Sequence, residues 1–228
     1  MTIDQTMILV IPCQRVLSTA ENAVSRGFRM NQASSSRPEQ RLIDSAEARF
    51  RRFGYKRTTV DDITGDAGTG KGSLYLHFDS KQAVYMAVVE ASIERFVASA
   101  SNLSGGSGSI PARLRALVEL TIDHYGQDEL LCSSLFGNTG LVDGDVSRMA
   151  ADLQRARIRS LLRELLESGL REGSVRADLD LDAAAAVVFE IGWAVVRSAL
   201  EGDSQIPLDR ALRTLNQIVG LGLSPRSR

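Results

Sequence analysis

From residue 38 onward the apolar positions of this chain recur at helical three-and-four spacing, and no run alternates apolar with polar residues over a useful strand length. After Pro38, Leu42, Ala46, Phe50 and Phe53 share one helical face with Ile43 beside them, and Gly54 supplies a C-terminal stop. Thr59, followed three residues later by Asp62, reads as a capping box with Asp in place of the usual Glu or Gln. It opens a short second helix whose inner face is Val60, Ile63 and Ala67, and Gly68 ends it. The turn Gly68-Thr69-Gly70 leads into about two helical turns from Lys71 to Phe78, with Leu74 and Phe78 inward and Lys71, Ser73, Tyr75 and His77 outward.

Ser80 caps a long fourth helix that is apolar on nearly every side, through Val84, Tyr85, Val88, Ile93 and Phe96, so it must touch neighbours all round. Ser101 to Ser109 reads as a loop, and Pro111 opens a fifth helix. Further helices are predicted from about Val146 to Leu170, Leu181 to Leu200 and Pro207 to Leu221. The pattern predicts an all-α fold: an N-terminal three-helix helix-turn-helix domain over 37–82, a helical bundle over 83–223 and a tail over 224–228. Residues 1–36 show little periodicity and end in a polar, serine-rich stretch, which reads as a flexible extension with Met30 as the candidate natural start.

Composition narrows the function classes. With 43% apolar residues the chain can bury a real core, and 27 basic against 28 acidic residues leave a net charge of -1. So balanced a charge excludes a protein that coats nucleic acid non-specifically, and any such binding must come from a local basic cluster. Cys13 and Cys132 lie far apart and the chain has two histidines, so no disulfide framework, zinc site or other cofactor is expected and a reducing cytoplasm fits. The apolar run Met7 to Cys13 is too short to span a membrane and lacks the flanks of an export signal.

Two short helices joined by a glycine-containing turn, the first capped by threonine and the second exposing small, basic and aromatic groups, have the form of a DNA-binding helix-turn-helix. Gly70 and Gly72 remove side chains where a backbone must approach the floor of the major groove. Lys71 can reach a base edge or a phosphate, and Thr69 and Ser73 can hydrogen-bond to either. The segment TTVDDITGDAGTGKGSLYLHFDSKQAVY, with RRFGYKRTTV before it, resembles the N-terminal signature of the TetR family of repressors over roughly Arg41 to Val89. The later helices agree with that family in number, length and order.

The resemblance implies phosphate contacts from Thr58 or Thr59, Tyr75, His77 and Lys81, and base-edge contacts from Thr69, Gly70, Lys71, Gly72 and Ser73. Many relatives have serine where this chain has Gly70, so sequence preference transfers least. Arg37 and Arg41 are candidates for a basic arm in an adjacent groove. The resemblance also implies a ligand-responsive repressor, a homodimer formed by the last two helices, and a palindromic double-stranded DNA operator. A pocket for a small-molecule effector would be lined by His124, Tyr125, Cys132, Phe136, Met149, Phe189 and Trp193, whose character points to an apolar or aromatic ligand. The long fourth helix would carry the signal between the two regions.

Two other readings compete. Gly65 to Gly72 matches the phosphate-loop pattern GxxxxGK without its final Ser or Thr, which would make the protein a nucleotide-binding enzyme if a buried strand preceded it. A helical interaction protein without DNA affinity is the third. The run Arg155, Arg157, Arg159 and Arg163 reads as a solvated helix face.

Overall fold

The computed structural model describes residues 38–104, 108–128, 132, 142, 144–202 and 205–225. The expected extension over 1–36 lies outside them, as does Phe136. The regular structure of the described residues is eight α-helices and no strand: α1 (Pro38–Arg57), α2 (Val60–Asp66), α3 (Lys71–His77), α4 (Lys81–Ser104), α5 (Ile110–Gly126), α6 (Gly144–Arg171), α7 (Leu181–Glu201) and α8 (Leu208–Leu223). Because α2 stands where the phosphate-loop reading needs a buried strand, the GxxxxGK match is a coincidence of turn chemistry.

Helices α1 to α3 close a small core in which Leu42, Ala46, Phe50, Ile63 and Leu74 are almost wholly removed from water. The first helix does not stop at Gly54 as expected. Gly54 takes φ 77° and ψ 161°, a conformation open to glycine, and the chain then resumes a helical turn to Arg57. That break turns Tyr55 inward, where its ring lies 5.6 Å from Phe50 and 5.1 Å from Tyr85 of α4. Tyr85 in turn meets Phe50 edge-on at 5.5 Å, so the N-terminal helices and α4 share one aromatic cluster.

The rest is a bundle in which α4 and α7 pack on α6, and α5 packs on α4, α7 and α8. The loop expected from Ser101 is helical as far as Ser104, one turn beyond the apolar pattern that defined α4. Asp180 caps α7 by accepting from the amides of Asp182 and Ala183, and Gly202 closes it at φ 70°. By length and composition α7 could cross a bilayer, yet here one side of it, through Ala185, Phe189, Gly192 and Val196, is buried. The arginines of α6 are solvent-facing but not free. Arg157 pairs with Glu94 of α4 at 2.7 Å, Arg159 with Glu190 of α7 at 2.9 Å, Arg163 with Asp182 of α7 at 2.6 Å, and Arg155 with Asp152 at 3.4 Å. The face is solvated as expected, and three of its four arginines also tie α6 to its neighbours α4 and α7.

Arg113 of α5 is buried and grips Glu172 through two 2.9 Å hydrogen bonds, while Ser168 donates to the same carboxylate. These bonds hold Glu172 below the usual carboxylate range. Beside this pin α5 and α6 come close enough that a Cβ on Gly169 would stand 2.5 Å from Ile110 Cγ1 and 2.6 Å from Val175 Cγ2. Overpacking of this kind costs about 1–3 kcal/mol. Gly169→Ala should therefore lower the free energy of urea unfolding by that amount without a change in slope.

Candidate nucleic-acid interface and effector cleft

The α2–turn–α3 unit is organised by its caps. Thr59 and Asp62 form the reciprocal capping box: the Asp62 amide donates to Thr59 Oγ1 at 3.2 Å, and the Thr59 amide donates to Asp62 Oδ2 at 2.9 Å. The turn is fixed by Gly68 at φ 63° and by the Thr69 amide donating to Thr64 O at 2.9 Å. Arg49 of α1 forks onto Asp66 at the end of α2, which orients α2 against α1. Leu74 and Phe78 then seat α3 on this platform, leaving Lys71, Gly72, Tyr75, Leu76 and His77 exposed. A Cβ at Gly70 or Gly72 would meet nothing within 4 Å, so both glycines open directly to the outside.

The expected DNA-facing residues separate into groups. Arg41, Thr59, Gly70, Lys71, Gly72, Tyr75 and His77 are exposed, and Ser73 is half-buried at the rim. Thr58 is buried, with its hydroxyl donated to Gly54 O at 2.9 Å, so of the two threonines only Thr59 reaches the surface. The Thr69 hydroxyl oxygen is enclosed and has no hydrogen-bond partner, contrary to the expectation that it presents to a base edge. Lys81 donates to Tyr55 O at 2.9 Å and Thr58 O at 3.0 Å and sits 4.3 Å from the Tyr55 ring centroid. It caps the carbonyl end of α1.

Two features were not read from the sequence. Lys71 is held 2.9 Å from Asp61 of α2, which raises its pKa, so the one lysine of the recognition surface has an internal partner. Leu76 projects from the same surface, although no part of the sequence reading singled it out.

In the C-terminal bundle a narrow cleft with a cavity volume of about 40 Å³ runs between α5, α6, α7 and α8. Its wall is apolar, through Leu114, Val118, Ile158, Phe189, Trp193 and Leu215 among others, with Gly192 widening it. Thr121 donates its hydroxyl to Leu117 O at 2.7 Å, and Asn216 and Trp193 carry the other polar side-chain groups of the lining. Of the expected effector residues, Phe189 and Trp193 line this cleft, their rings nearly parallel at 6.0 Å. Of the other described ones, none lines it. His124 is half-buried against Ser92 of α4, with Nε2 3.2 Å from Oγ and its ring 5.3 Å from Phe96, and burial lowers its pKa. Tyr125 is buried beside it with its pKa raised by desolvation, Cys132 is buried, and Met149 is exposed, accepting from Gln82 Nε2 at 3.2 Å. Apolarity alone could not distinguish a residue facing the cleft from one facing α4, since both are packed.

Comparison with known proteins bears on both regions. A profile described as bacterial regulatory proteins of the tetR family matches residues 42–88. The HTH-type transcriptional repressor KstR2 of Rhodococcus jostii (strain RHA1) is 26% identical over 190 residues, 80% of this chain and 89% of that protein. Among solved structures, the fatty acid degradation regulator FadR from Bacillus halodurans aligns with TM-score 0.59 at 21% identity, covering 82% of this chain and 96% of that one. FadR from Bacillus subtilis in complex with stearoyl-CoA aligns with TM-score 0.60 at 17% identity, covering 81% of this chain and 98% of that one.

The caps impose a pH dependence. Asp62 is held below its ordinary value of 3.8 chiefly by hydrogen bonds from Thr59, and Asp66 chiefly by Arg49. A carboxylate depressed in the fold stabilises it above the unfolded value, and that contribution is lost as pH falls through the folded one. Thermal unfolding followed from roughly pH 5 to 3 should show a falling midpoint, and Asp62→Asn, which cannot titrate there, should flatten that fall.

Proposed function

We propose that this chain, which belongs to the TetR family of bacterial regulatory proteins, works as a cytoplasmic homodimeric repressor that leaves its operator when an apolar small molecule enters the α5–α8 cleft. The observation that carries the DNA half of this reading is the α3 surface itself. Its apolar underside is anchored, two glycines bring its backbone to the outside, and Lys71, Tyr75 and His77 stand exposed on it. The domain division at about residue 82 follows from the same anchoring, with α4 joining the two parts.

The effector class is supported by the lining of the cleft, which is predominantly apolar. A long acyl group, such as that of the stearoyl-CoA bound by the Bacillus subtilis neighbour, is a ligand of this chemistry. The dimer is supported by α7 and α8, where Val187, Ile191 and Ile218 are exposed along a shallow apolar groove. Pairing these helices with their symmetry mates would cover that face and give a two-fold protein, hence a two-fold operator with half-sites about one turn, ~34 Å, apart.

Selection of bound duplexes from a random pool should recover an imperfect palindrome. Against it, Tyr75→Phe should weaken binding by roughly 1 kcal/mol, and Lys71→Ala should reduce the salt dependence of affinity by about one counterion while altering base preference. An unstructured set of recovered sequences, or two silent variants, would count against α3 as the reading helix. For the ligand half, Gly192→Leu should fill the cleft, since a Cβ there meets only Val118 Cγ2 at 3.6 Å. Such a protein should bind operator as the wild type does and ignore a long-chain acyl probe that releases the wild type. Loss of operator binding instead would place Gly192 in the fold and not in the response.

A further inference from the structure

Leu76 is the most exposed large apolar side chain among the described residues, with 84% of its surface accessible. Its direction gives that exposure meaning. At about 100° per residue, buried Leu74 and Phe78 define the inward line of α3, and Leu76 falls about 180° from it. It is therefore the crest of the helix. The preceding turn on that side carries Gly72, which has no side chain, and Ser73, which is small, so nothing on α3 stands between the Leu76 isobutyl group and whatever the helix approaches. The hydrogen-bonding side chains of Tyr75 and His77 lie to either side of the crest, where the two phosphate walls of a groove would run.

A leucine in that position can make no hydrogen bond to a base edge. Pressed on an adenine, guanine or cytosine it would bury donors or acceptors without partners. The one apolar group on the floor of the major groove is the C5-methyl of thymine. We propose that Leu76 is a specificity-determining residue that reads this methyl group in each half-site. The inference rests on the DNA-binding reading above and goes beyond it by assigning a base to a residue. It also explains how a recognition helix with one lysine, two glycines and a half-buried serine can discriminate sequence: part of the discrimination is apolar.

The test uses a duplex recovered by the wild-type protein from a random pool and resynthesised with each thymine in turn replaced by uracil, which removes only the C5-methyl. Wild-type protein should lose about three- to fivefold in affinity at one thymine of each half-site, the effect of one methyl leaving an apolar contact. Leu76→Ala, a change on the solvent side of α3 that leaves its buried face intact, should bind the thymine and uracil duplexes equally at that position. A wild-type protein indifferent to every replacement would overturn the assignment while leaving DNA binding in place. So would a penalty that persists undiminished in Leu76→Ala. Recovery of no duplex at all would overturn the DNA-binding reading, and the assignment with it.

Discussion

The joint between α4 and the first three helices is the constraint on which the molecule depends. Tyr85 is wholly buried between Phe50 and Tyr55, and Lys81, one turn earlier, is bonded to the carbonyls of Tyr55 and Thr58. The joint exists because Gly54 breaks α1 and turns Tyr55 toward α4. Aromatic packing fixes the angle and the lysine fixes the register, so α3 has little freedom to move unless α4 moves with it. A regulator that must alter the placement of a recognition helix can then act anywhere along α4.

The cleft does not touch α4. Its walls come from α5 to α8, so a signal from it must pass through the helices that α4 leans on. Two connections stand in the structure. On one side α6 carries the cleft residues Ile158 and Leu162 and is tied to α4 by Arg157 and Glu94. On the other, α5 carries Leu117 and Thr121 and reaches α4 through His124 and Ser92. Just past the end of α5, buried Asp128 accepts from Arg51 of α1 at 2.6 Å, and Glu47 of α1 accepts from both Arg51 and Arg95 of α4. These charges bind the first helix to the bundle directly, alongside the route through α4.

Most of the fold could be read from periodicity because long amphipathic helices announce both their faces and their ends. The capping box at Thr59 and the cap at Ser80 are local chemistry, and the structure keeps both. What escaped the sequence was decided by contacts distant in the chain. That Thr58 is buried and that Lys81 turns inward depend on how α1 and α4 meet. The wall of the cleft was equally out of reach, since Phe189 and Tyr125 are both aromatic residues on packed helical faces and differ in which neighbour they meet. Leu76 is the opposite case. Its outward direction follows from counting residues around α3, but a leucine beside an aromatic invites the assumption that it is core.

The ion pair between Lys71 and Asp61 has a kinetic meaning. A cation already matched within its own protein gains little by drifting onto any passing phosphate, because one partner is merely exchanged for another. Were α3 to enter a groove as proposed, a phosphate or base edge would first have to displace the aspartate, so the lysine would commit only against the small worth of an exposed ion pair, and would return to it on release.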